Sequence, residues 1–303
     1  MKRRIRTMAL LAALTLLCGC GKKEAQPQQE DMAVNIVPVE GVTALELCDG
    51  EVTLRFARTD DTWHWVDDGT FPLDQDAVAA LLALPSSLAA AEPVQGQGEL
   101  SGYGLETPKK YVTATADGAD STIYVGSQTS DGRWYVLTPD GVVRLAAQAD
   151  GEALSRSIYD MAVLPELPAI TEENLISLTL TGAEGKQVTF SVDESGVRRS
   201  GARDVTEKTA SLVDELGKLA VTACVDYDPA DGAAAVCGLD VPEAILAVNY
   251  VNAHGGDGAL TLTVGGSTDD GGRYVTLNGD TTIYRMEETG LAQVLTLAAL
   301  GLS

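Results

Sequence analysis

The sequence predicts an α+β protein made of two homologous units, each an antiparallel, meander-rich sheet with a packed helix and a short terminal helix. Three features lead to this prediction. Several segments occur twice along the chain in the same order. Alternating apolar and polar residues, interrupted by Asp-Gly and Asn-Gly pairs, indicate strands joined by tight hairpins. One amphipathic segment in each half has the spacing of a helix.

The repeat is carried by four pairs of short segments. The most distinctive is Tyr-Gly-Leu-Glu-Thr-Pro at 103–108, which recurs as Cys-Gly-Leu-Asp-Val-Pro at 237–242. Because all four pairs keep one order, we predict a first unit at 42–164 and a second unit at 172–303. The two prolines of the segment 165–168 mark the joint, since proline stops a flanking element from continuing. The remaining pairs are 45–47 with 178–180, 125–126 with 264–265, and 135–136 with 274–275.

Each unit is predicted to contain three strands, a helix, four strands and a terminal helix. In the first unit, residues 42–47 and 52–56 alternate as half-buried strands do. The pair Asp49-Gly50 between them favours a hairpin, because both residues accept the backbone angles of a tight turn. The terminal helices are expected near 150–161 and 290–300.

The main helix of the first unit is predicted to begin after Asp74, which can cap it, and to end before Pro85. Its apolar stripe consists of Val78, Leu81 and Leu82. The second unit repeats this pattern, with Thr206 as the predicted cap. The apolar stripe of that second helix comprises Leu212, Val213, Leu216 and Leu219.

The signature segments 103–108 and 237–242 are expected to form a turn that leads into a strand. Their glycines, Gly104 and Gly238, can supply a positive φ, and the prolines can set the entry to the next strand. Leu105 and Leu239 are expected to fill the two cores. The later strands of each unit are connected by Asp117-Gly118, Asp131-Gly132, Asp140-Gly141, Asp257-Gly258, Asp270-Gly271 and Asn278-Gly279, which all suit tight hairpins.

The first forty residues predict export and a lipid anchor. A basic start precedes an apolar run from Met8 to Leu17 that is too short to span a bilayer, since a spanning helix needs about twenty residues. The following Leu17-Cys18-Gly19-Cys20 resembles the bacterial lipobox, which implies cleavage after Gly19 and a diacylglycerol on Cys20. We therefore expect a signal peptide at 1–19 and a polar, flexible tether at 20–41. The alternatives are an ordinary cleaved signal and an uncleaved anchor.

The chain is strongly acidic, with 21 Lys and Arg against 44 Asp and Glu and a net charge of −23 at pH 7. Removal of 1–19 takes away four basic residues and no acidic one, which leaves 17 against 44 and a net charge of −27. Such a surface repels phosphate backbones and anionic headgroups, which argues against nucleic acid as a partner. The charge either keeps an exported protein soluble or favours cations and basic partners.

Cysteine and histidine are too scarce to predict a zinc site. Cys224 and Cys237 could form a disulfide in an oxidising compartment, worth at most ~3 kcal/mol, and Cys48 would remain a buried thiol. The acidic loop 226–232 suits a hard cation such as Ca²⁺, but it lacks the acid, glycine and glutamate that an EF-hand loop would need. We therefore predict neither a metal site nor a cofactor.

No motif in the sequence identifies a reaction. The chain contains no Gly-x-Ser-x-Gly, no Ser-x-x-Lys and no phosphate-binding loop. A Ser-His-Asp arrangement would need His64 or His254 as its base, and these residues fit a strand and a hairpin connection instead. Paired carboxylates can hydrolyse glycosides, but among 44 acidic residues no pair is distinctive.

Three segments together resemble the bacterial domain-of-unknown-function family 4340: the first signature segment, Val-Gly at 125–126 and Gly-Arg-Trp-Tyr-Val at 132–136. A lipoprotein signal followed by two such units is also similar to that family. The second unit departs from the pattern with Cys237 in place of Tyr and Arg273 in place of Trp. The resemblance implies a cell-envelope location. Genes of some similar proteins lie beside those of transporters of the gliding-motility ABC type, which points to an accessory role in the envelope. The resemblance implies no reaction and no catalytic residues.

These features favour a non-enzymatic envelope lipoprotein, anchored at the extracytoplasmic side of the cell membrane, that acts as a binding or adaptor module. An envelope protein or a transporter would be its partner. The alternative is an extracytoplasmic hydrolase that acts on cell-envelope material. A solute-capturing partner of a transporter is disfavoured, since such proteins usually alternate strands and helices around a parallel sheet.

The aromatic residues of the first unit are the candidate interaction surface. Trp and Tyr give large contact areas at low entropic cost and are enriched at interaction hot spots. Trp63 and Trp65 share one face of the third predicted strand, and His64 lies on the other. With Tyr103 and Trp134 they either fill the first core or form an exposed patch that binds a partner, and the burial of the rings decides between these alternatives. Near the corresponding positions the second unit has Val197, Arg199, Cys237 and Arg273.

Overall fold

Two antiparallel sheets, one in each predicted unit, form most of the protein. The structure is a computed structural model that describes residues 40–301. The predicted signal peptide 1–19, Cys20 and the tether as far as residue 39 lie outside the described residues.

The first unit contains eight strands and three short α-helices. In chain order these are β1 (Val42–Cys48), β2 (Thr53–Thr59), β3 (Thr62–Trp65), α1 (Gln75–Leu82), α2 (Leu84–Ala89), β4 (Glu92–Pro93), β5 (Lys110–Ala116), β6 (Ala119–Gln128), β7 (Trp134–Leu137), β8 (Val143–Ala146) and α3 (Gln148–Glu152). Single 3-10 turns lie at Leu100–Tyr103, Ala153–Ser155 and Ile158–Met161.

The second unit contains nine strands and three α-helices. In chain order these are β9 (Leu175–Gly182), β10 (Gln187–Val192), β11 (Arg198–Ser200), β12 (Arg203–Asp204), α4 (Ala210–Leu216), β13 (Val221–Asp226), α5 (Ala233–Val236), β14 (Ala244–Val251), β15 (Asp257–Ser267), β16 (Gly272–Leu277), β17 (Ile283–Glu287) and α6 (Ala292–Leu300). Single 3-10 turns precede α4 at Glu207–Thr209 and α6 at Glu288–Leu291.

Both sheets follow the same strand order. The first runs β3-β2-β1-β5-β6-β7-β8-β4, and the second runs β12-β11-β10-β9-β14-β15-β16-β17-β13. Apart from the added β12, every strand of the second sheet has a counterpart at the same place in the first. The edge strands β4 and β13 were not predicted from the sequence. They pair with β8 and β17, which lie far along the chain, so no local pattern reveals the pairing.

The predicted start of the first helix is confirmed. The carboxylate of Asp74 accepts hydrogen bonds from the backbone N–H groups of Asp76 and Ala77, which caps α1. Val78 and Leu81 of the predicted stripe are buried in the first core. The sequence pattern therefore fixed both the beginning of this helix and the face that it buries.

The predicted end of the first helix is also confirmed, because α1 ends at Leu82, before Pro85. Pro85 itself lies in the first turn of the next helix, α2, where a missing N–H group costs no hydrogen bond. The predicted cap of the second helix was wrong. Thr206 does not cap it, since its hydroxyl accepts the backbone N–H of Arg198 instead, and α4 begins only after the intervening 3-10 turn.

Of the six Asp-Gly and Asn-Gly pairs predicted to connect the later strands, five lie in turns between antiparallel strands. The exception is Asp257-Gly258, which belongs to β15. The turn before it is closed by Asn252, whose side-chain oxygen accepts the backbone N–H groups of His254 and Gly256. Gly258 instead lies under the ring of its cross-strand partner Tyr250, and a Cβ at Gly258 would be 2.5 Å from that ring.

Each sheet packs one face against its own core and turns the other, which we name the outer face, away from it. The cores consist mainly of leucine, valine and phenylalanine from alternate strand positions together with one face of the helices. Large residues of the first core are Leu45, Phe56, Leu81, Leu88, Ile123 and Met161. Large residues of the second core are Ile170, Leu178, Leu180, Phe190 and Leu212.

The two units meet through β13 and the residues that follow it. Tyr227 packs against the first core, with its ring centroid 5.2 Å from that of Phe71 in an edge-to-face arrangement. Its hydroxyl donates to the carbonyl oxygen of Thr70 at 3.3 Å. The hydroxyl of Tyr159, from the first unit, donates to Asp226 at 3.2 Å. The second unit therefore contributes side chains to the core of the first.

Candidate functional site

Of the two alternatives for Trp63, Trp65, Tyr103 and Trp134, the exposed patch was wrong. Trp63 is only 7% exposed, and the other three side chains are half-buried. Trp65 and Trp134 pack against the first core from the core face of the sheet. The ring of Trp134 lies where a Cβ at Gly151 would be only 2.2 Å away. The tryptophans therefore serve the fold of the first unit, as their burial stabilises it.

Tyr103 differs from the three tryptophans because it packs on the outer face. The ring centroid of Tyr103 is 4.9 Å from that of Tyr135. Tyr135 points to the outer face, because the next residue of β7, Val136, points to the core. The hydroxyl oxygen of Tyr103 accepts the backbone N–H of Gly98 at 2.8 Å. The first signature segment thus lies on the side of the sheet that no helix covers.

A glycine of the sheet allows the signature turn to approach. The carbonyl oxygen of Tyr103 lies 2.2 Å from the position of a Cβ on Gly126. In the second unit, the carbonyl oxygen of Cys237 lies 2.3 Å from the Cβ position of Gly265. Both approaches require the absence of a side chain, so the Val-Gly pairs and the signature segments are two halves of one contact.

The turn glycines behave as predicted, but the leucines do not fill the two cores, since Leu105 and Leu239 lie against Gly126 and Gly265 instead. Gly104 and Gly238 both have φ of 69°, a conformation that other residues rarely adopt. Leu105 is only 2% exposed, whereas Leu239 is half-buried. The second copy of the turn is therefore packed less completely than the first.

Four tyrosines share the outer face of the first sheet, and we name Tyr103, Tyr111, Tyr124 and Tyr135 the tyrosine face. Tyr111 and Tyr124 are direct cross-strand partners with ring centroids 6.4 Å apart, and Tyr124 is 39% exposed. Leu137 is the next residue across, opposite Tyr124. Sequence reasoning did not select Tyr111, Tyr124 or Tyr135. Their signal was the period-two alternation with buried Val112, Ile123 and Val136.

The second sheet has a different outer face. At the places of Tyr111, Tyr124 and Leu137 it carries the cross-strand row Ile245, Thr263 and Thr276. Threonine also dominates the neighbouring strands of that face, at Thr179, Thr181 and Thr261. Both sheets therefore share a backbone arrangement, while the exposed side chains differ in chemistry.

The folded part that carries the tyrosine face is strongly acidic. Glu46 lies on the same face and accepts the hydroxyl of Tyr111 at 2.6 Å, and this hydrogen bond, with burial, raises the pKa of Tyr111 to about 12. Residues 40–301 contain 15 Lys and Arg against 41 Asp and Glu. Ten of those 15 basic residues already form ion pairs within this part of the chain. Most carboxylates consequently face solvent without a cation beside them.

The possible disulfide between Cys224 and Cys237 is not formed, and both residues are free thiols, as is Cys48. Cys224 lies in β13 and packs against the first core, whereas Cys237 belongs to the signature turn of the second unit. Burial raises the pKa of the Cys224 thiol to about 11 and also raises that of Cys237. Neither thiol is therefore activated as a nucleophile.

The remaining chemical candidates are not brought together. Across residues 40–301, no group of three or more His, Cys, Asp or Glu is placed to hold a metal ion. His64 lies in β3 and His254 in the exposed β14–β15 turn. No α-helix within this same range is long and apolar enough to cross a membrane.

Comparison with known proteins gives one family. The model of a domain of unknown function, DUF4340, matches residues 63–231 and again residues 204–298. The two matches overlap and together include both signature segments and the whole second sheet, and they begin after β1 and β2 of the first sheet. No curated protein and no solved structure matches the chain. Since the family model covers most of the sequence, the chain belongs to the DUF4340 family.

Proposed function

We propose that the protein is an exported lipoprotein, anchored through Cys20 on the extracytoplasmic side of the cell membrane, and acts as a non-enzymatic binding or adaptor module. The anchor is supported by the short apolar run and the Leu17-Cys18-Gly19-Cys20 sequence. The module consists of two homologous units, which the common strand order and the repeated signature contact support.

The difference between the two outer faces carries the binding role. The fold places little constraint on the exposed residues of an outer face, so these are the positions where the two copies can acquire different binding properties. The first sheet carries Tyr111 and Tyr124 where the second has Ile245 and Thr263, whereas Tyr135 is matched by Tyr274. Tyrosine combines a large apolar ring with a polar tip, and it is enriched at interaction surfaces for that reason. We therefore assign the interaction to the first unit.

Two experiments test the proposal. Replacing Cys20 with Ala should abolish lipid labelling and move the protein from the membrane to the soluble extracytoplasmic fraction. Unchanged labelling and membrane retention would contradict the anchor. A photo-crosslinking amino acid at Tyr124 should give adducts with an envelope protein in intact cells, whereas the same amino acid at Thr263 should not. Adducts at neither position, or equal adducts at both, would contradict a binding role of the first face.

A further inference from the structure

We infer that the tyrosine face binds a basic, extended segment of another protein. This inference rests on the proposed function, because it names the chemistry of the partner that the first unit would hold. It commits to Lys- and Arg-rich polypeptide. Neutral glycans, which could also stack on tyrosine rings, are an outcome of the test below.

The rings supply short-range attraction for cations. The face of an aromatic ring carries negative charge density, so an ammonium or guanidinium group above it is attracted. Tyr111 and Tyr124 lie side by side across two neighbouring strands, with Tyr124 the more exposed of the two. Tyr135 and Tyr103 extend the same surface by a second ring pair. A chain lying across the strands would meet Tyr111 and Tyr124 in succession.

Charged residues of both signs lie beside the rings. Glu46 accepts the hydroxyl of Tyr111 on the outer face and lies directly across from Arg55. The turn between β1 and β2 lies against Lys109 and Lys110. The attraction for a basic partner therefore comes from the rings and from the charge of the whole folded part.

The charge of the whole folded part argues against polyanions, a second copy of the chain and anionic lipid headgroups as partners of the tyrosine face. With 15 basic against 41 acidic residues in 40–301, its field attracts polycations and repels polyanions. A second copy of the chain would bring the same excess of negative charge to the interface, which disfavours self-association through this face. Anionic headgroups are repelled for the same reason. A basic protein segment is attracted both by the overall negative charge and by the tyrosine rings.

The test separates the attraction of a basic peptide by the tyrosine rings from its attraction by the overall negative charge. The probe is a short flexible peptide of Arg, Lys, Gly and Ser. Fluorescence anisotropy measures its affinity for the full-length, membrane-free C20A protein. The variant combines Tyr111→Ile with Tyr124→Thr, which installs the residues of the second sheet and leaves the net charge unchanged. We expect about a five- to thirtyfold weaker Kd for the variant, as two lost cation–ring contacts imply.

Matched controls make the result decisive. Thr263→Ala with Thr276→Ala alters the second face equally and should leave the affinity unchanged, and Tyr124→Phe keeps the ring and should retain most of it. Thermal unfolding confirms that each variant is folded. Equal peptide binding by the Tyr111/Tyr124 variant and the unmodified protein would overturn the inference, because attraction would then come from the field alone. Tighter binding of a neutral N-acetylglucosamine oligomer than of the peptide would overturn it too. In both cases, crosslinking from Tyr124 would still support the proposed function.

Discussion

The backbone of Tyr103 rests on Gly126, with the tyrosine carbonyl oxygen 2.2 Å from the position that a Cβ would occupy. Leu105 completes this contact, since its Cγ is 2.8 Å from the same position. In each unit the signature turn can therefore contact the Val-Gly pair only because glycine has no side chain. Cys237 and Gly265 repeat the relationship. Residues that the two copies share therefore maintain the fold, and the outer faces are free to differ.

The first prediction concerns this close approach. Replacing Gly126 with Ala should destabilise the protein by roughly 1–3 kcal/mol, because a methyl group would force the turn away from the sheet. Gly69→Ala is the control, since a Cβ there meets no atom within 4 Å. Urea denaturation measures the difference. Equal denaturation midpoints for the two variants would show that the contact is not tight.

The second prediction compares the two signature leucines. Leu105→Ala should cost about 2–5 kcal/mol, the usual range for truncation of a buried leucine. Leu239→Ala should cost clearly less, because the side chain of Leu239 is half-buried where Leu105 is buried. Both free energies of unfolding are obtained from urea titrations of the full chain. A larger loss for Leu239 would mean that the second turn packs more tightly than the structure shows.

The third prediction concerns pH. Two backbone N–H groups, of Val52 and Glu51, donate to Asp49 at 2.8 Å and hold the pKa of its carboxyl below the ordinary value of 3.8. A lowered pKa in the folded state means that the stabilisation is complete above pH 3.8 and is lost as the pH falls through the folded value. Asp49→Asn should weaken the dependence of stability on pH in that acidic window.

Urea denaturation at several acidic pH values measures this effect, and carbon NMR titration of the Asp49 carboxyl gives the pKa directly. Asp117→Asn provides the control, since Asp117 occupies another strand-connecting turn and its carboxylate accepts no hydrogen bond from residues 40–301. A carboxyl pKa at or above 3.8 for Asp49, or an unaltered pH dependence of the Asn variant, would contradict the prediction.

The fourth prediction tests whether the units are coupled. Phe71 and Tyr227 join them through an edge-to-face ring contact, so a double-mutant cycle should give a coupling free energy of about 0.5–1.5 kcal/mol. Tyr227→Phe keeps the ring and removes only the hydrogen bond to Thr70. It should therefore cost about 0.5–1.5 kcal/mol, less than Tyr227→Ala. Strictly additive effects of Phe71→Ala and Tyr227→Ala would show that the two units are independent at this contact.

Local signals in the sequence predicted local structure well. Asp74 caps a helix, five of the six turn pairs predicted to connect the later strands lie in turns, and Gly104 and Gly238 adopt a positive φ. Each of these outcomes depends on a residue and its immediate neighbours, so a short stretch of sequence contains the physical cause. The exception is Asp257-Gly258, because the side chain of Asn252 closes the turn a few residues earlier.

The sequence by itself determined the repeat, the alternation of the strands and the acidic charge, because these properties are written in composition and spacing. Only the tertiary structure decided that Trp63 and Trp134 face the core while Tyr111 and Tyr124 face outward. It alone paired β13 with β17, a partner far along the chain, and placed Tyr227 in the first core. The physical reason is that burial and cross-strand pairing depend on contacts between distant segments, and one strand pattern is compatible with either face until its neighbours are fixed.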